Sequence, residues 1–197
     1  MAWVAGEPTA VRTRILEAGA PVGLGEAVLA GLPPPFQGGR VEQASLDLTP
    51  CRDALRDQVD ASCLLQRLPA PQAGWVVLLL TGVDLFLPVL TYVFGASQLG
   101  AGKSVLSSAR LHLAGPDAGA APTPPGRAAL GERNLLPRLL VRRALVESLH
   151  ELGHAMGLTH CVVPDCAMHR SLWPEAIDLK AAAYCPSCRA VLARAPD

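Results

Sequence analysis

Three histidines and a glutamate carry the first recognisable chemistry in this chain: His150, Glu151, His154 and His160, in the run HELGHAMGLTH. His150 and His154 are four residues apart, so on a helix both imidazoles lie on one face and can reach one metal ion. Glu151 sits beside the first of them, where its carboxylate can contact a metal-bound water without ligating the metal. Gly157 stands where the chain must leave the helix, and glycine accepts the positive φ that a sharp exit commonly needs. His160 can then swing back as a third ligand. Three neutral imidazoles leave a fourth position open, as in catalytic zinc sites. The ion would lower the pKa of its water and polarise a carbonyl. Glu151 would take the proton from the attacking water and deliver it to the leaving amine. Peptide-bond hydrolysis is the expected reaction.

One peptide bond further on, a second set begins. Cys161 and Cys166 are separated by four residues, Cys185 and Cys188 by two, and eighteen residues lie between the pairs. Two short-spaced cysteine pairs on one tetrahedral zinc form a closed, structural site, because four thiolates leave no place for water. The expectation is two Zn2+ per chain, one catalytic and one structural. His160 and Cys161 would serve different ions, so loss of the structural zinc is expected to disturb His160.

The rest of the chain must position these residues. With 197 residues, half of them hydrophobic and 17% charged, it can bury a sizeable core. A formal net charge of zero gives no field that points to nucleic acid or an anionic membrane. No basic segment followed by a long apolar run opens the chain. The apolar stretch 75–95 contains Gly82, Asp84 and Pro88, so it reads as two buried strands and not as a membrane span. A cytoplasmic protein is expected, with its six cysteines as metal ligands or buried thiols and no Cys51–Cys63 disulfide. Only Lys103 and Lys180 represent lysine, which reads as compositional bias. The oligomeric state is not legible.

Asn134 to Leu158 is the strongest helix signal, with Val141, Leu145, Leu149, Leu152 and Met156 as one core stripe and Arg143, Glu147, His150 and His154 on another. Arg138, Arg142 and Arg143 read as a solvated face. Elsewhere the pattern predicts a short strand at Met1–Gly6 and a broken helix over Val11–Leu32, stronger after Gly23. It also predicts a strand at Val41–Leu48 and a helix from Thr49-Pro50 to Leu68. Further strands are expected at Trp75–Leu80, Pro88–Phe94 and Lys103–Leu113. The Ala/Pro/Gly-rich segment 114–131 reads as a surface excursion, and His112 and His169 as exposed or structural.

Taken together, H-E-x-x-H-x-x-G-x-x-H resembles the metzincin clan of zinc peptidases. Its extension through Cys161, Cys166, Cys185 and Cys188 resembles the archaemetzincin family. VDLFLPVLTYVFG, SVLSSARL and RDQVDASCLLQRL are similar to the strand and helix regions that precede the motif in that family. The resemblance implies that Met168, in Cys166-Ala167-Met168, forms the methionine turn beneath the catalytic zinc. It implies an α+β, metzincin-like fold: a twisted mixed sheet with an antiparallel edge strand, packed helices, an active-site helix and a small zinc-stapled C-terminal part. The expected layout is one catalytic domain over 1–197, with an N-terminal subdomain 1–157 and a C-terminal subdomain 158–197. The substrate would be a peptide or protein, bound in extended form along Val89–Phe94, with an aminopeptidase-like or short-peptide preference as one reading. His169-Arg170 departs from the pattern and bears on the wall of the substrate pocket.

Two other functions fit part of the pattern. A zinc-stabilised binding or regulatory protein would keep the scaffold but has no need of Glu151. Hydrolysis of a non-peptide amide would use the same metal chemistry.

Overall fold

The structure, a computed structural model, describes residues 10–112 and 138–194. The expected strand at Met1–Gly6, the segment 114–131 and the start of the long helix at Asn134–Pro137 lie outside the described residues. Strand β5 (Trp75–Thr81) reads WVVLLLT, an apolar run without alternation, and all but its first residue are buried. Such a run suits a strand covered on both faces. It is the centre of a five-stranded sheet with order β2-β1-β5-β8-β7. Strands β1 (Arg12–Ala18), β2 (Gly39–Gln43), β5 and β8 (Lys103–Ser107) run parallel. Strand β7 (Gly95–Gln98) closes one edge antiparallel to β8. The mixed sheet with an antiparallel edge strand is thus present.

The sheet divides the core. Val76, Leu78 and Leu80 join a cluster with helix α1 (Leu24–Gly31) and helix α3 (Arg138–Ala155). Val77 and Leu79 join a second cluster with helix α2 (Ala61–Arg67) on the opposite face. Among the described residues, no helix is long and apolar enough to cross a membrane.

Several expectations change. The broken helix over Val11–Leu32 is strand β1 followed by α1. Pairing with β2 and β5 on both sides overrides any helical preference there. The helix from Thr49 to Leu68 is a single 3₁₀ turn (Thr49–Cys51), then β3 (Arg52–Asp53) and β4 (Gln58–Asp60), and only then α2. The side chain of Asp60 starts α2 by accepting from the backbone N–H of Ser62 at 2.8 Å and of Cys63 at 3.4 Å. The break also brings Cys51 and Cys63 into a disulfide, against expectation, with Cα atoms 5.5 Å apart. In a continuous helix twelve residues would have separated them by about 18 Å. Strand β2 is shorter than predicted, and β8 ends at Ser107. The strand expected over Pro88–Phe94 is a loop with one bridge, Leu85 to Val93, and the edge strand starts at Gly95.

Helix α3 is covered nearly all round, because the sheet packs on one side and the segment 166–184 on the other. Leu149 and Leu152 are fully buried, while Val141, Leu145 and Met156 are only partly so. Arg143 is no part of a solvated face: it is 1% exposed and bonds Asp178 at 2.9 and 2.6 Å. Asp178 ends the short helix α4 (Pro174–Asp178), and α5 (Pro186–Leu192) closes the described chain.

Candidate metal centre and cleft

Helix α3 carries His150, Glu151 and His154 on its last turns. It ends in a Schellman turn: Leu158 N–H bonds Gly153 O and Gly157 N–H bonds His154 O, both at 2.9 Å. Gly157 has φ 92°, a conformation that costs glycine little and other residues more. The turn sends His160 back, and its ring centroid lies 5.3 Å from that of His150 and 4.9 Å from that of His154.

The two helical imidazoles are held through their far nitrogens. Nδ1 of His150 lies 2.8 Å from Ala167 O, and Nδ1 of His154 lies 2.7 Å from Leu158 O. A carbonyl only accepts, so each Nδ1 carries the proton and each Nε2 presents a lone pair. The two Nε2 atoms are 3.1 Å apart. Two facing lone pairs repel, and a shared cation relieves this. Two nitrogens on one tetrahedral zinc stand about 3.3 Å apart. One donor atom from each of His150, His154 and His160 lies within 4.8 Å of the others. Burial holds His150 well below its ordinary pKa and also lowers His160, which keeps these rings neutral. The donor set fits zinc.

The four cysteine sulfurs also lie within 4.8 Å of one another. Cys161 Sγ to Cys185 Sγ and Cys166 Sγ to Cys188 Sγ are both 3.8 Å. Four thiolates on one tetrahedral zinc have edges of about 3.8 Å. The backbone N–H of Cys188 leads in lowering Cys185 to about 7, while burial pushes Cys166 and Cys188 up. This donor set also fits zinc.

Met168 is fully buried. Cys161 N–H donates to Met168 O at 2.9 Å, which closes a turn that contains Cys166. The Met168 sulfur occupies the space that a Cβ on Gly153 would need, so the turn sits directly against α3 between the two histidines.

Above the histidines lies a cleft of about 490 Å³, lined by Tyr92, Gly95, Glu147, Glu151, His160 and Arg170 among others. Glu151 is 5% exposed. Burial raises its carboxyl to about 8, against the opposing hydrogen bond from Ser97. The Ser97 hydroxyl, on β7, lies 2.6 Å from Glu151 Oε2 and 2.8 Å from its backbone carbonyl. The edge strand therefore orients the glutamate directly.

The contacts of three contributors were not legible in the sequence. Gly95 lets β7 approach α3, since a Cβ there would lie 2.7 Å from Glu151 Cγ. Glu147 and Lys180, both almost wholly buried, pair at 2.6 Å. Lys180 also donates to Ala167 O at 3.3 Å, the carbonyl that orients His150, and to His169 O at 3.1 Å. Lysine scarcity was the one hint, and it reads as compositional bias; Lys180 is instead a buried tie beside His150. His169 is half-buried, and His112 is exposed.

An edge-stranded mixed sheet over a helix carrying this H-E-x-x-H segment defines a zinc metallopeptidase with a metzincin-like fold. Residues 132–194 match the pattern of peptidase family M54. The archaemetzincin of Archaeoglobus fulgidus is 30% identical over 138 residues, covering 70% of this chain and 71% of that one. The archaemetzincin of Pyrococcus furiosus is 38% identical over 108 residues, about half of each chain at 55% and 48%. The crystal structure of the archaemetzincin of Methanopyrus kandleri superposes with a TM-score of 0.74 at 26% identity, covering 94% of both chains. The chain belongs to the archaemetzincin family, peptidase family M54.

Proposed function

We propose that this chain hydrolyses peptide bonds by Glu151-assisted attack of water, at a zinc held by His150, His154 and His160. Cys161, Cys166, Cys185 and Cys188 hold a second, structural zinc. The observation that carries this reading is the convergence of three imidazoles beneath a cleft that also contains a buried, oriented Glu151. Zinc, when bound, polarises the scissile carbonyl and makes water acidic enough to attack at neutral pH.

The chain's own residues do the rest. Glu151 accepts the proton of the attacking water at Oε1, because Oε2 is engaged by Ser97. The same carboxyl then hands the proton to the leaving nitrogen. The outer edge of β7 offers unpaired backbone groups, along which an extended peptide can add as a further strand. His150, Glu151 and His154 thus come from the part up to Gly157, and His160 with the cleft residues Arg170, Ser171 and Leu172 from the part 158–197, which the cysteine site staples.

Metal analysis combined with a peptide-library cleavage assay tests the proposal. Two zinc ions per chain and cleavage that disappears in Glu151→Gln, with zinc retained, are expected. A Glu151→Gln protein that cleaves as fast as the wild type defeats the mechanism.

A further inference from the structure

A hydrogen bond spans the cleft. Tyr92, on the loop before β7, donates its hydroxyl to the backbone carbonyl of Leu172 at 2.6 Å. This bond joins the upper rim to the segment after Met168. Tyr92 is mounted rigidly. Arg110 lies 4.1 Å over its ring and is itself fixed by Asp84 through bonds of 2.7 and 2.6 Å. Gln58 donates to Asp84 at 2.8 Å and to the carbonyl of Thr91 at 3.0 Å, which pins the loop. A peptide lying along β7 would meet this bridge.

Arg170 lines the same cleft, two residues before Leu172. It is exposed, and among the described residues no carboxylate pairs with it. The two acidic side chains of the lining are engaged, Glu147 with Lys180 and Glu151 with Ser97. The lining therefore holds an available guanidinium and no available carboxylate. A guanidinium fork matches a carboxylate with two parallel N–H···O bonds. Among the lining residues an α-ammonium meets no carboxylate that is not already engaged.

We propose that Arg170 binds the free C-terminal carboxylate of the substrate, so that the chain releases a short C-terminal fragment. This rests on the peptidase reading above. Water adds to the scissile carbonyl and the C–N bond breaks. The new carboxylate stays with the N-terminal portion along β7, and the new amine with the fragment held at Arg170. Selectivity is then for short peptides or free C-termini, and is indifferent to a blocked N-terminus.

Calorimetric titration of zinc-loaded Glu151→Gln with short N-acetylated peptides, as free acids and as C-terminal amides, tests this. The acid should bind about tenfold tighter than the amide, the size of one charge-assisted contact. Adding Arg170→Ala should bring the two to parity with amide affinity unchanged, and Arg170→Lys should keep part of the preference. Equal affinities, a preference that survives Arg170→Ala, or no measurable binding of the acid overturns the proposal. Wild-type cleavage separates the two levels. Glu151-dependent cleavage of acids and amides alike leaves the peptidase standing and defeats the role of Arg170. Absence of Glu151-dependent cleavage of any peptide defeats the peptidase reading, while the titration still decides the carboxylate site.

Discussion

The ammonium of Lys180 lies 2.6 Å from the carboxylate of Glu147, and the same ammonium shares Ala167 O with the imidazole of His150. A helix residue and a residue of the C-terminal segment thus meet beside His150. The pair ties the turn that carries Met168 to the helix that carries two of the three histidines.

Removing one partner should be costly. Lys180→Met leaves the Glu147 carboxylate buried beside a single hydroxyl, that of Ser171 at 3.2 Å. Such changes destabilise by roughly 3–5 kcal/mol. The double variant Glu147→Leu/Lys180→Met should recover most of this, because no buried charge is left alone. Urea denaturation of both variants checks it, and a Lys180→Met midpoint equal to the wild type contradicts it. Loss of the lysine should also weaken zinc binding at the histidines, by about tenfold or more, through Ala167 and His150.

Gly95 should matter for rate more than for metal. An added Cβ would lie 2.6 Å from Val105 O and 2.7 Å from Glu151 Cγ, so Glu151 or β7 must move. A displacement of about 1 Å at a catalytic group costs about 100-fold in rate. Gly95→Ala should therefore lower kcat by that order while zinc content stays at the wild-type level. Parallel metal analysis and cleavage kinetics measure both, and an unchanged kcat would show that Glu151 tolerates the shift.

The cysteine site should support the histidine site. His160 and Cys161 are consecutive, and Cys161 N–H closes the turn through Met168 O. Cys185→Ser should remove one zinc from the chain and reduce occupancy of the other. If zinc titration finds the histidine site filled as tightly as before, the two centres are independent.

Arg143 and Asp178 set an acid limit on stability. The hydrogen bond from Arg143 leads in lowering the Asp178 carboxyl below its ordinary value of 3.8. A carboxyl depressed in the folded state stabilises at pH values above the unfolded pKa. That contribution is lost as pH falls through the lower folded pKa. The wild type should therefore lose stability below about pH 4 faster than Asp178→Asn does. Denaturation midpoints at pH 7 and pH 3 decide this, and parallel slopes for the two proteins would refute it.

The sequence by itself determined whatever depends on residues close together along one element. The spacing of His150, His154, Gly157 and His160, and of the four cysteines, is set by helix and turn geometry. Both donor sets could therefore be read, and the structure brings each set together. Long apolar or periodic runs such as β5 and α3 were legible for the same reason. What only the tertiary structure decided is pairing between distant segments. Strand β1 reads as helix until β2 and β5 flank it, and the edge strand is fixed by its register with β8. Cys51 meets Cys63 only because the chain folds back between them. Tyr92 reaches Leu172 across the cleft, Gly95 makes room for Glu151, and Lys180 finds Glu147 thirty-three residues away. Burial and contact with remote groups give these residues their roles, and neither property is encoded in local spacing.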